Sequence, residues 1–197
     1  MSELVFFLEE PSAEAMLDGL LPRILPEDVQ YRCIVFEGKQ DLEAQLVRRM
    51  RGYRVPQARF IVLRDQDTTP DCHKVKTDLA ALCHTAGHPR SLVRVACREL
   101  ESWYLADLKA VQAGLHLRGL AKLQNKRLYR SPDSVQSPAR QLRRIAPAYQ
   151  KVGGSRAIGP HLDPENGRSN SFAVFVAGVR RLAARAANVP GNRRNRG

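Results

Sequence analysis

The sequence has no run of 18 consecutive apolar residues, which argues against a membrane-spanning helix. Its first ten residues lack both a basic start and a cleavage site, so no signal peptide and a cytoplasmic location are expected. No C-x-x-C pair occurs among the four cysteines, Cys33, Cys72, Cys83 and Cys97. Cysteines this widely spaced, in apolar surroundings, read as reduced core residues rather than a disulfide framework. Cys72-His73 and Cys83-His84 carry metal-ligand types, but a helix would hold the two pairs about 16 Å apart, far beyond zinc bonds of about 2 Å. There is no G-x-x-x-x-G-K-[ST], so the chain should not bind ATP through a P-loop. A G-x-S-x-G nucleophile turn is also absent, as are helix-turn-helix, RNA-recognition and zinc-finger signatures.

One stretch has little acid. Residues 118–197 hold 17 basic and only three acidic residues, a net of +14, whereas residues 1–117 hold 15 basic and 17 acidic. Solubility does not need so one-sided a surface. The asymmetry points to a catalytic or ligand domain joined to a polyanion-binding surface. Aromatics are scarce within that basic stretch, with Tyr129 and Tyr149 the ones beside its cationic belt. That favours contact with a nucleic-acid backbone over base stacking.

The first half alternates strand and helix signals. Leu4–Leu8, Cys33–Phe36, Phe60–Leu63 and Leu92–Ala96 are short apolar runs that read as buried strands. Between them lie helical patterns: one after Ser12, the expected cap, carrying Ala15, Met16, Leu20 and Leu21, with Pro22 and Pro26 near its end; one with Leu42, Leu46, Val47 and Met50 after Gly38; and Val75–Ala86, for which Asp71 is the expected cap. A βαβαβαβ order predicts an α/β fold with a mainly parallel four-stranded sheet covered on both faces. Arg98–Ala113 then reads as one helix with Leu100, Trp103, Tyr104, Leu108 and Val111 in a stripe. Residues 117–136 are polar and punctuated by prolines, Ala139–Ile145 reads as a short helix, Lys151–Asp163 as a glycine-rich loop, and Ser171–Ala187 as a final amphipathic helix. The tail from Pro190 has nothing to bury and should be disordered. The expected organisation is a metal-binding α/β domain over residues 1–114, a basic helical extension packed on it over 115–189, and a basic tail over 190–197.

Ligands of open parallel sheets bind at the carboxyl ends of the strands. Three acids are expected there: Glu9 (or Glu10) after the first strand, and Asp65 and Asp67 after the third. Gathered carboxylates repel unless a cation compensates. Mg²⁺, with Mn²⁺ able to substitute, suits an all-oxygen set and keeps waters for phosphate substrates.

These residues carry a resemblance. Phe7-Leu-Glu9-Glu-Pro-Ser-Ala-Glu14 resembles the E-G-x-[ST]-E start of Toprim domains, and Ile61-Val-Leu-Arg-Asp65-Gln-Asp67 resembles their D-x-D strand. With Phe36-Glu-Gly38-Lys39-Gln-Asp41-Leu42, Arg98-Glu99-Leu-Glu101-Ser-Trp103, Lys151-Val-Gly-Gly-Ser-Arg156 and Arg168-Ser-Asn-Ser171-Phe172, the pattern is similar to a bacterial Toprim-like domain-of-unknown-function family of DUF4276 type. That family is often found beside ATPases in anti-phage loci. The resemblance covers residue 3 to about residue 183. It departs in two places: Glu10, followed by Pro11, replaces the glycine after the first acid, and Ala13 stands where glutamate is usual. The resemblance implies a Mg²⁺-dependent nuclease acting on DNA or RNA, controlled by a partner ATPase, with Glu9 as general acid/base and metal ligand and Asp65 and Asp67 as metal ligands. Glu99 and Glu101 follow the fourth strand closely enough to join them; in a helix only one can point inward, and Glu101 is favoured. The altered Glu10-Pro11 start motivates an alternative, a non-catalytic nucleic-acid-binding or assembly subunit. Self-association is compatible with either reading.

Phosphate contacts are expected from Lys39, Lys126, Arg127, Arg143 and Arg144, and from Lys151, Arg156 and Arg168. In the 151–159 segment, backbone N–H groups of a loop would add an anion nest.

Overall fold

The computed structural model describes residues 2–187; the tail expected to be disordered from Pro190 lies outside them. Strands β1 (Ser2–Leu8), β2 (Val29–Val35), β3 (Arg59–Asp65) and β4 (Leu92–Ala96) form one sheet in the order β2-β1-β3-β4. Every pairing is parallel, with Leu8 opposite both Val35 and Leu63, and Asp65 opposite Ala96. The fold is therefore the α/β architecture expected, a parallel four-stranded sheet with helices on both faces.

Period-two alternation divides the core. Leu4, Phe6 and Leu8 face one side, where they pack with Met16, Leu17 and Leu20 of α1 (Pro11–Ile24). Val5 and Phe7 face the other, under Leu42, Leu46 and Met50 of α2 (Lys39–Gly52) and Val75, Leu79 and Cys83 of α3 (Cys72–Thr85). The inner strands β1 and β3 read as continuous apolar runs because both their faces are covered. Strand β2 is an edge: Cys33, Ile34 and Val35 are only half-buried. Of the cysteines only Cys83 is buried; all four are free.

The α1 start differs from expectation for a physical reason. Glu10, not Ser12, occupies the cap position in extended backbone (φ −151°), and Pro11 is the first helical residue. Proline loses nothing there, because the first helical N–H has no intrahelical partner. An extended Glu10 needs no glycine, so the departure from the family pattern carries no backbone strain. Ser12 lies inside the helix and donates its hydroxyl to Glu10 Oε1 at 2.7 Å. Asp71 caps α3 as expected, accepting from His73 N–H at 2.8 Å.

The helix expected from Arg98 to Ala113 is two: α4 (Glu101–Ala106) and α5 (Leu108–Gly114). Asp107 breaks them at φ −134°, ψ 71° and caps α5 through Ala110 N–H. Its second oxygen accepts from Asp163 N–H at 2.9 Å. Short 3₁₀ turns carry the chain to α6 (Pro138–Ile145), then α7 (Lys151–Ile158) and α8 (Asn170–Ala187). The glycine-rich stretch is thus largely helical rather than a loop. Its glycines are packing residues: a Cβ on Gly154 would collide with the Tyr149 ring, and one on Gly159 with the Met16 backbone. The turn that ends α7 can therefore lie close against α1. Helix α8 packs along β4 and carries Phe172 and Phe175 onto the Trp103 ring, at centroid distances of 5.2 and 5.1 Å. Among the described residues, no helix is long and apolar enough to cross a membrane.

Candidate active site

The carboxyl ends of β1 and β3 deliver their acids to the start of α4. Glu9 follows β1 directly, and its Oε2 accepts from the Asp65 backbone N–H at 3.0 Å. Asp65 is the last residue of β3 and is buried. Burial pushes its carboxyl well above the usual carboxylate range, and Glu101, Glu10 and Glu9 push it the same way against a backbone hydrogen bond at Leu100. Glu101, in the first turn of α4, is wholly buried. Its Oε1 accepts from the Tyr149 hydroxyl at 3.0 Å, and its Oε2 has no hydrogen-bond partner. Burial raises its pKa too, with Lys151 and the Tyr149 hydroxyl opposing. Glu9 is raised by burial first, then by Asp67, against the Asp65 amide and Arg64. Asp65 thus bears the repulsion of Glu101, Glu10 and Glu9, and Glu9 that of Asp67 and Glu10.

Two cations sit among these acids. Arg64 Nη1 binds Glu43 at 2.6 Å while its Nε lies 3.8 Å from Glu9. Lys151 Nζ, at the start of α7, binds Glu10 Oε2 at 2.5 Å. Burial pulls the Lys151 pKa down, but Glu10, Glu101 and Asp65 outweigh it and leave it raised.

Asp67 takes a separate position. It has φ 56°, and Arg98 across from it has φ 64°; left-handed backbone costs a non-glycine residue about 1–2 kcal/mol. The two meet through a 2.7 Å bond from Asp67 N–H to Arg98 C=O. Gln66, the buried middle residue of the D-x-D, ties the two loops: its N–H donates to Ala96 C=O, its side-chain oxygen accepts from Arg98 N–H, and its amide donates to Thr69 C=O. Asp67 consequently leaves the buried group and lines an open recess of about 270 Å³ with Thr68, Arg98, Glu99, Gln136 and Ser137. Lys39 reaches it at 3.8 Å. Glu99 points away from Glu101 and accepts from Ala139 N–H at 2.7 Å, in the first turn of α6. Of the two acids after β4, Glu101 is the one turned inward.

The oxygen-only donor set and the orphaned, buried Glu101 Oε2 fit a hard divalent cation. Among the described residues, however, the group of three ligand types with donor atoms all within 4.8 Å of one another is Asp71, Cys72 and His73, at the start of α3. The site's carboxylates stand wider, with Arg64 and Lys151 supplying positive charge. The distance between Cys72-His73 and Cys83-His84 along α3 argues against a metal shared by the two pairs, but not against one held by the first pair with Asp71.

The basic candidates scatter. Lys39 and Lys151 pair with site acids. Arg127 and Arg144 line a groove of about 610 Å³, whereas Arg168 borders another cavity, about 500 Å³, with Arg23, Lys109 and His161. Lys126, Arg143 and Arg156 are exposed. Arg143 and Arg144 are neighbours on α6, so their side chains diverge. Arg64 and Tyr149 were not expected as partners of the acids; an arginine inside an otherwise apolar strand is the signal for the first. Part of the motif pattern serves structure: Asp133 accepts from Ser169 Oγ, Ser171 N–H and Ser171 Oγ at 2.6, 2.9 and 3.2 Å, securing the start of α8. The Trp103 indole donates to Ser171 Oγ at 2.8 Å.

The chain is similar in structure to the C-terminal region of the Burkholderia pseudomallei OLD protein, with TM-score 0.50 and 12% identity over 91% of this chain and 98% of that one. It also matches the C-terminal region of the Xanthomonas campestris pv. campestris OLD protein, with TM-score 0.47 and 13% identity over 94% and 98%. The first likeness is one of fold. No curated protein matches the sequence. A family profile described as a domain of unknown function, DUF4276, matches residues 8–180, and the chain belongs to that family.

Proposed function

We propose that the chain is a Mg²⁺-dependent nuclease of Toprim type that hydrolyses phosphodiester bonds in DNA or RNA. The observation that carries this reading is the buried Asp65 at the end of β3, under the charges of Glu101, Glu10 and Glu9, with one Glu101 oxygen buried and unpaired. Glu9, Asp65 and Glu101 would hold the ion, with Asp67 beside them at the open edge. Bound Mg²⁺ supplies charge stabilisation to a phosphodiester and acidifies a water. The chain's own groups do the rest. Glu9, whose pKa is raised by burial and by Asp67, is the acid suited to exchange a proton. Tyr149 orients Glu101. The resemblance to families encoded beside ATPases extends the proposal to an effector controlled by a partner ATPase in antiviral defence.

The test is incubation of the purified protein, alone and with any ATPase that its gene neighbours encode, with plasmid, single-stranded DNA and tRNA in Mg²⁺ or Mn²⁺. Metal-dependent cleavage lost in Asp65→Ala and Asp67→Ala, with binding retained, is expected; no cleavage under any of these conditions defeats the proposal. One observation favours a second reading. The Lys151–Glu10 and Arg64–Glu9 pairs already place cations among the acids, as a degenerate site in a non-catalytic binding subunit would. That reading predicts nucleic-acid binding without turnover, unchanged by Asp67→Ala.

A further inference from the structure

The groove of about 610 Å³ lies between the 3₁₀ turn Arg127–Tyr129 and α6. Arg127 stands on one wall; Arg140 and Arg144, one helical turn apart on α6, stand on the other. Among the described residues none of the three forms an ion pair. Like charges at i, i+4 disfavour a helix slightly, by about 0.2–0.5 kcal/mol, and here no carboxylate relieves them.

The groove does not stand alone. Gln136 and Ser137 line both it and the recess that holds Asp67 and Glu99. Helix α6 is also fastened to that recess, through the bond from Ala139 N–H to Glu99. The arginines are therefore registered against the acidic site by backbone and side-chain contacts. Tyr129 and Tyr149, the aromatics of this region, are buried and present no ring for a base to stack on. The polar groups of the lining are guanidinium, hydroxyl and amide, which match phosphate oxygens; the exposed Leu128 beside them offers apolar contact to the rest of the strand.

We propose that this groove is the entry path of a polynucleotide strand, held by its phosphates on Arg127, Arg140 and Arg144 and led past Gln136 and Ser137 to the acids. The inference rests on the nuclease reading only for where the strand goes; the grip itself requires no chemistry.

The experiment is fluorescence anisotropy of an end-labelled 20-nucleotide oligothymidine in EDTA over a range of salt, where no metal-dependent cleavage occurs. Arg127→Ala/Arg140→Ala/Arg144→Ala should lose more than tenfold in affinity at low salt and flatten the log–log salt slope by about 2, since each phosphate contact on a single strand contributes about 0.7. The corresponding Glu triple variant should lose more. A control of equal charge change, Arg49→Ala/Arg54→Ala/Lys76→Ala on the other side of the sheet, should stay within about twofold; circular dichroism confirms that each variant folds. Equal losses in groove and control variants, or an unchanged slope, overturn the proposal. So does polyglutamate competing as well as an unlabelled oligonucleotide, which would make the groove a site for acidic protein. If the wild type binds as described but never cleaves with Mg²⁺ or Mn²⁺, the nuclease reading fails and the groove stands; if the triple variant binds and cleaves like wild type, the groove fails and the nuclease reading stands.

Discussion

Asp65→Asn should make the metal-free protein more stable while removing its function. In the fold, Asp65 is buried and faces Glu101, Glu10 and Glu9, and its pKa is raised. The folded state therefore holds the Asp65 proton more tightly than the unfolded chain does. Its contribution to stability is fully present below the unfolded value near pH 4 and is lost as pH rises through the raised folded value. Glu9 and Glu101, also raised, tilt the curve the same way. Once pH has risen through that folded value, the metal-free wild type carries a buried repulsion. Two like charges about 6 Å apart at an effective dielectric of about 20 repel by roughly 3 kcal/mol. Lys151 and Arg64 offset part of this, leaving an expected gain of about 1–2 kcal/mol from an uncharged, nearly isosteric amide. For a chain of this length that is about 3–6 °C in Tm. The assay is thermal unfolding in EDTA from pH 5 to pH 8 for both proteins. The advantage of Asp65→Asn should grow with pH, and 10 mM Mg²⁺ should then raise the wild type's Tm and leave the variant's unchanged. No gain in EDTA at pH 8, or an equal Mg²⁺ effect on both, would refute the reasoning.

Gly154→Ala places a methyl group against the Tyr149 ring; overpacking of about 1–3 kcal/mol is expected, together with lower activity because Tyr149 orients Glu101. Urea unfolding and cleavage rates check this, and a neutral outcome in both contradicts the tight α7 packing. Asp133→Ala removes the acceptor for Ser169 and Ser171 at the head of α8; a loss of about 1–3 kcal/mol is expected, read by denaturant unfolding, with oligonucleotide affinity unchanged.

Much of the sheet was legible because β1 and β3 are buried on both faces, and such strands read as unbroken apolar runs. The same rule misled at β2, where Cys33–Val35 is apolar yet lies on an edge. The strand-end place of Asp65 and the burial of Glu101 rather than Glu99 were also legible, from strand position and helical periodicity. Other features depend on contacts distant in sequence. Lys151–Ile158 looks like a loop because its glycines signal backbone freedom; here Gly154 serves close approach to Tyr149 instead. Nothing local announces that Asp107 ends one helix and caps the next, since its second partner is the Asp163 amide. Nor does the sequence show that Asp65 and Asp67 part company. That split follows from Gln66 turning inward and from two left-handed residues, Asp67 and Arg98, meeting across the loops. The segment Arg168–Phe172 stood out as a motif, yet Ser169 and Ser171 bind Asp133 and Trp103 and hold the fold together.

The central claim is that Glu9, Asp65 and Glu101 are a divalent-cation site. Crystals soaked in Mn²⁺ and measured for anomalous scattering test it directly. The account predicts a peak among these three carboxylates, absent in Asp65→Asn. A map with no peak there, or with manganese only at Asp71, Cys72 and His73, would contradict it.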